Sequence, residues 1–348
     1  MASQNTDKID DVNWQLTDVT NPLTKEKVTV YTAKHIPYVS DANRFQNVTI
    51  YAPKTSESSV SVGNSVTSLP SFEHHSKIPQ WHVHIHGGAW RDPHLDSSSI
   101  EATVAHAFAF ADSNAPISAI ASTNCTLSPF PTHPTLPYSP TKGDQVDLAR
   151  NAMHPGHVKD VLEAFALLRS LGLTDDSYIL SGHSAGACLA FLSVLFKPLH
   201  WGSRAPWPPR PAAVVGLNGL YNMQDLVYGL GDSHAHLADV YKNLLGIAFG
   251  PHESKWVPGS PARFNEEVLA ENVRQGKVVQ LVLLDQSPED KLVPLNQTDN
   301  LEARLKRVQG VHVFSGHRCQ GRHDAPWEEG NMIWETIQDV LKILHKQG

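Results

Sequence analysis

The chain has 348 residues, 41% hydrophobic and 18% charged, with 24 prolines, a composition that excludes chain-wide disorder and leaves room for a substantial buried core. A formal net charge of -7, without any run of Lys or Arg, excludes the electrostatic footprint of a nucleic-acid binder. Cys125, Cys188 and Cys319 are its three cysteines, and no Cys-x-x-Cys spacing links them, which excludes a disulfide framework and a thiolate zinc site and fits a reducing compartment.

The segment Met1 to Asp18 is polar where a signal peptide needs an apolar stretch, and nowhere do eighteen apolar residues run together, so a cytoplasmic location without a membrane span is expected. After this polar leader, Val28 to Thr32 and Asn47 to Ala52 read as short strands, and the Ser-, Val- and Pro-rich stretch 55–79 reads as a surface loop. Trp81 to His86 is a third strand ending in Gly87-Gly88. A helical stretch (Ile100 to Phe110) separates it from a fourth, Ile117 to Ser122. His154 to Leu171 carries Val158, Val161, Leu162, Phe165 and Leu168 at helical spacing, and Tyr178 to Leu180 is a strand running into a second apolar helix, Gly186 to Phe196. Val214 to Leu217, Val278 to Leu284 and Val311 to Phe314 supply three more strands, and Ile333 to Leu344 closes the chain as an amphipathic helix. This alternation implies an α/β fold with a mostly parallel central sheet and helices on both faces. One domain is expected, with insertions at 55–79, 197–211 and 225–263, the last two long enough to fold over a site.

Gly182-His183-Ser184-Ala185-Gly186 sits between a strand and a helix, where flanking glycines permit a turn tight enough to lift a serine Oγ above the sheet. Ser184 is therefore the candidate nucleophile. The helix behind it favours developing negative charge at its first N–H groups, that of Ala185 among them. Gly87 and Gly88, at the end of the third strand, supply two further main-chain donors for an oxyanion. His82, His84 and His86 alternate along the same strand and share one face, as metal ligands can, but they leave the Ser184 turn unexplained, and no metal or other cofactor is expected.

Acid and base should follow the nucleophile in that order, each in a loop after a late strand. Asp285, Glu289 and Asp290 compete for the acid. Asp290 is preferred because it lies two residues ahead of an apolar pair and Pro294, with Asp285 in reserve. His317 and His323 compete for the base, and His323, nearer the closing helix, is preferred.

His86-Gly87-Gly88-Ala89-Trp90-Arg91-Asp92-Pro93, His154-Pro155-Gly156-His157, the Ser184 turn with Ala187, and Gly219-Leu220-Tyr221-Asn222 together resemble the kynurenine formamidases (arylformamidases) of the fungal type, within the α/β-hydrolase superfamily. Ser287-Pro288-Glu289-Asp290 and Gly321-Arg322-His323-Asp324 are similar to that family's acid and base segments, and the resemblance runs from about Asn47 to the C-terminus. It implies hydrolysis of N-formyl-L-kynurenine to L-kynurenine and formate, with a small-molecule substrate as the partner; Trp90 and Tyr221, each just after a strand end, are candidates for lining an aromatic pocket, with core or rim packing the equal alternative for both. Asn124-Cys125, where the family usually carries Tyr-Arg, and the longer insertions leave open a carboxylesterase or secondary-metabolite hydrolase on the same scaffold.

Overall fold

A computed structural model describes residues 9–55, 60–68, 79–109 and 116–347. Gln15–Thr20 (β1), Lys27–Pro37 (β2) and Asn47–Pro53 (β3) form an antiparallel entrance to the sheet, followed by Trp81–Ile85 (β4), Glu101–Phe108 (α1) and Ala119–Thr123 (β5). Gly156–Ser170 (α2), Tyr178–His183 (β6), Ala185–Leu195 (α3) and Ala213–Leu217 (β7) come next. The 225–263 region carries Asp225–Tyr228 (α4), Gly231–His234 (α5) and Ala238–Ala248 (α6). Glu266–Arg274 (α7), Leu281–Asp285 (β8), Asn296–Leu305 (α8), His312–Ser315 (β9), Ala325–Glu329 (α9) and Asn331–Gln347 (α10) complete it. The strands join in the order β1-β2-β3-β5-β4-β6-β7-β8-β9. From β5 through β9 every neighbouring pair is parallel, while β3 meets β5 antiparallel, so the sheet is mixed with a parallel centre.

Two layers of apolar side chains cover the sheet because successive strand residues point to opposite faces. Trp81, Val83, Ile85, Tyr178, Leu180, Val282 and Leu284 pack on one side with α2 and α3. Ile120, Ile179, Val215, Leu217, Leu281 and Leu283 pack on the other with α1 and α10. In α10, Ile333, Ile337, Val340 and Leu341 recur at three- and four-residue spacing and are all buried, so the helix presents one apolar stripe to the sheet.

Three expectations need adjustment, and others fall outside the described residues. The first strand is β1, inside what reads as leader; only Val19 of its six residues is buried, so an edge strand of this kind carries almost no alternating signal. The strand expected from Val278 begins at Leu281, with Val278 and Val279 buried ahead of it. The 225–263 stretch contributes Leu226, Leu244, Leu245, Phe249 and Trp256 to the main apolar layer and is structural rather than a surface decoration. The 55–79 loop lies partly, and Phe110 wholly, outside the described residues.

Candidate active site

Ser184 occupies the turn between β6 and α3 with φ 53° and ψ -122°, a strained conformation for a residue with a side chain. Its flanking glycines are dictated by space. A Cβ on Gly186 would lie 2.1 Å from the carbonyl oxygen of Ile85 on β4. The turn is thus pressed into the sheet, and Ser184 N–H bonds Leu217 O of β7 at 2.9 Å.

The loop after β4 comes to the same place. A Cβ on Gly87 would stand 3.2 Å from Ser184 Cβ and 2.9 Å from His183 Nδ1, so Gly is required there by close approach. Gly88, Ala89 and Trp90 all have positive φ (94°, 51° and 59°), which coils the chain back so that Gly88 O accepts the N–H groups of Arg91 and Asp92. The N–H groups of Gly87 and Gly88 have no partner among the described residues, and Ala185 opens α3, where intrahelical acceptors are lacking. The segment at Gly87 thus lies directly against the Ser184 turn. Trp90 supports this turn from behind, its ring edge-on to Phe249 at 4.9 Å, and Phe249 in turn stacks on His154.

Asp290 and His323 are brought together: His323 Nδ1 and Asp290 Oδ2 are 2.7 Å apart, with both side chains buried. The other carboxylate oxygen accepts the N–H groups of Leu292 and Val293 at 2.8 and 3.0 Å. Burial alone would raise the Asp290 pKa, but the hydrogen bond and charge of His323, with the two N–H donors, outweigh it and hold the group below the ordinary carboxylate range. The loop of His323 touches the residue beside Ser184, because His183 Nε2 donates to His323 O at 2.8 Å.

The other candidates go elsewhere. Asp285 accepts from Arg318 N–H and Cys319 N–H and organises the turn after β9, Glu289 accepts from Gly321 N–H, and His317 is exposed. His82 Nε2 and His84 Nδ1 both meet Ser181 Oγ, at 2.6 and 2.7 Å, on the face covered by α1 and α10. Burial pushes the His82 pKa down to about 3 and His84 downward too, so both are neutral core histidines. Among the described residues the grouping of ligand-type atoms within 4.8 Å is His183, His323 and Asp324, not the three strand histidines. Tyr221 is fully buried, edge-on to Phe191 at 5.5 Å, with its hydroxyl against Gly216 of β7. Asn218 and His183, which sequence reasoning passed over, bind the loops that carry Asp290 and His323; their only sequence signal is a place one residue beyond a strand and one before the serine.

Over 258 residues the chain is 31% identical to the "Kynurenine formamidase avaC" of Aspergillus versicolor, covering 72% of this chain and 84% of that relative. The chain belongs to the kynurenine formamidase family. A "Kynurenine formamidase-like hydrolase fscH" of Fusarium equiseti is 26% identical over 314 residues, 89% of this chain and 94% of that relative. No family model matches. Among solved structures, esterase B of Lactobacillus rhamnosis superposes with a TM-score of 0.59 at 15% identity (94% of this chain, 91% of that one). A truncated carbohydrate esterase from gut microbiota gives 0.55 at 16% (91% and 95%). These likenesses show the α/β-hydrolase fold. In this member of the kynurenine formamidase family Asn124-Cys125 has a structural place: Asn124 is buried and holds Ser97 N–H and the Asn47 side chain, and Cys125 is buried beside it. In His154-Pro155-Gly156-His157, His154 stacks on Phe249 and His157 Nε2 meets Ser128 Oγ at 3.0 Å. No helix among the described residues is long and apolar enough to cross a membrane.

Proposed function

We propose that the protein hydrolyses N-formyl-L-kynurenine to L-kynurenine and formate, with Ser184, Asp290 and His323 as its catalytic triad. The observation that carries this reading is the 2.7 Å His323 Nδ1 to Asp290 Oδ2 contact, on a loop tied to the neighbour of a strained serine. Membership of the formamidase family supports the substrate. With Nδ1–H donated to Asp290, His323 Nε2 is the unprotonated nitrogen. It takes the Ser184 proton as Oγ attacks the formyl carbon. Gly87, Gly88 and Ala185 N–H groups hold the oxyanion, each such donor being worth on the order of 3 kcal/mol. Collapse breaks the C–N bond, the arylamine nitrogen leaves with the proton from Nε2, and a formyl ester remains on Ser184. Water, deprotonated by His323, then attacks that ester; formate leaves as Oγ regains its proton.

The chain works in this reading as one cytoplasmic domain needing no cofactor. Its 225–263 segment braces the oxyanion turn through Phe249 and Trp90, and Tyr221 acts as packing beneath β7 rather than as a pocket wall. Purified protein should release kynurenine from N-formylkynurenine far faster than it cleaves short nitrophenyl esters, and Ser184→Ala should abolish both activities. A preference for the esters would overturn the formamidase reading.

A further inference from the structure

Neither His323 nor Asp290 belongs to a strand or helix, yet a triad requires both to be held within a fraction of an ångström. Asn218, one residue past the end of β7, is fully buried and bonds both loops at once. Its Nδ2 donates to the main-chain carbonyl of His323 at 2.9 Å, and its Oδ1 accepts the main-chain N–H of Ser287, three residues ahead of Asp290, at 2.9 Å. Its own N–H bonds Asp285 O at 3.0 Å, anchoring the clamp to β8. The φ of Asn218 is 45°, a left-handed conformation that Asn tolerates better than most side chains. Ser287 tightens the arrangement, its Oγ donating to Gly321 O at 2.6 Å.

The same carbonyl receives a second donor. His183 Nε2 lies 2.8 Å from His323 O, so the two acceptor sites of that oxygen are filled, one from β6 beside the nucleophile and one from the end of β7. We propose that Asn218 and His183 are positioning residues whose two donors lock the backbone of His323 over Ser184, while the Asn218 carbonyl oxygen sets the acid loop at matching height. The inference rests on the assignment of Ser184, Asp290 and His323 made above.

Chemistry explains why both donors are neutral. His183 is lowered in pKa, first by burial and then by the charge of His323, and its ring centroid is 4.8 Å from that of His323. A lysine or arginine clamp in its place would oppose the imidazolium that His323 becomes in each proton transfer. An aspartate at 218 would keep the acceptor for Ser287 N–H but lose the donor to His323 O.

The test uses the full chain and reads the rate at which a fluorophosphonate labels the serine, which needs nucleophile and base but no particular substrate. Gln approximates the Nε2 position of a histidine, and Asn the Nδ1 position. His183→Gln should therefore retain labelling to within a few-fold, whereas His183→Asn and Asn218→Ala should each lose about 10- to 100-fold, the usual consequence of a base displaced by about 1 Å. With any turned-over substrate, kcat should fall and KM stay nearly constant, and the low-field proton resonance of His323 Nδ1–H, identified by its absence in Asp290→Asn, should shift or broaden. Full labelling by folded His183→Asn, or equal losses in His183→Gln and His183→Asn, would overturn the proposal, and this pair decides it even where Asn218→Ala does not fold. Undiminished labelling of Ser184→Ala would instead bring down the triad assignment, a distinct result.

Discussion

Asp285 and Asp290 stand five positions apart at the end of β8, both buried, and meet opposite fates. Asp285 accepts Arg318 N–H at 2.8 Å and Cys319 N–H at 3.3 Å, and its pKa is raised because burial outweighs these two donors together with the Cys319 thiol and the charge of His317. Asp290 accepts two main-chain donors as well, but adds His323, and its pKa falls despite burial. Peptide N–H groups suffice to place a carboxylate; a direct hydrogen bond to an imidazole is what turns the balance towards the charged form. The acid of a triad is distinguished by what lies across from it, a property that composition of the loop does not carry.

The largest test of this contrast is amide replacement. Asp290→Asn should lower kcat on the order of 10⁴-fold, the usual loss when a triad carboxylate can no longer orient its histidine, while Asp285→Asn should leave kcat within a few-fold; steady-state kinetics of the two variants would show it. Next in size is Gly87→Ala, whose Cβ would crowd His183 Nδ1 and Ser184 Cβ. It should cost about 10² to 10³ in kcat through the displaced donor, with circular dichroism unchanged. A smaller effect separates the carboxylates by pH. The depressed pKa of Asp290 contributes stability that is present above its unfolded pKa near 3.8 and is lost as pH falls through the lower folded value. Asp285 has the opposite sign: its penalty at neutral pH is relieved as pH falls through its raised folded pKa, above 3.8. Urea unfolding across pH 3 to 7, wild type against each Asn variant, should give differences that move in opposite directions. Least of all, His317→Ala should change turnover by under about two-fold, as expected of an exposed loop side chain.

How far the site was legible varies with the physics behind each part. The tight Ser184 turn and the glycines around it could be read because steric demands restrict residue types locally: nothing larger than glycine fits 2.1 Å from a carbonyl oxygen. The alternating His82 and His84 were ambiguous because period two reveals a shared face, not what covers it. The sheet and its helices supply the covering, and Ser181 takes a nitrogen of each ring. Edge strand β1 was hidden for the same reason, with one buried residue in six. The 225–263 segment looked like a decoration since its apolar residues show no strand-helix rhythm, and only the fold shows Leu226, Leu244 and Phe249 joining the main apolar layer.

Sequence alone thus determined the α/β alternation, the strained serine and the identity of the segments that meet it, since these follow from local periodicity and from turns that admit only certain residues. Tertiary structure decided which carboxylate faces which histidine and introduced Asn218 and His183 as the ties between them. Those contacts join residues 69 to 140 positions apart, and hydrogen bonds across such separations are set by how strands stack side by side, not by any pattern along the chain.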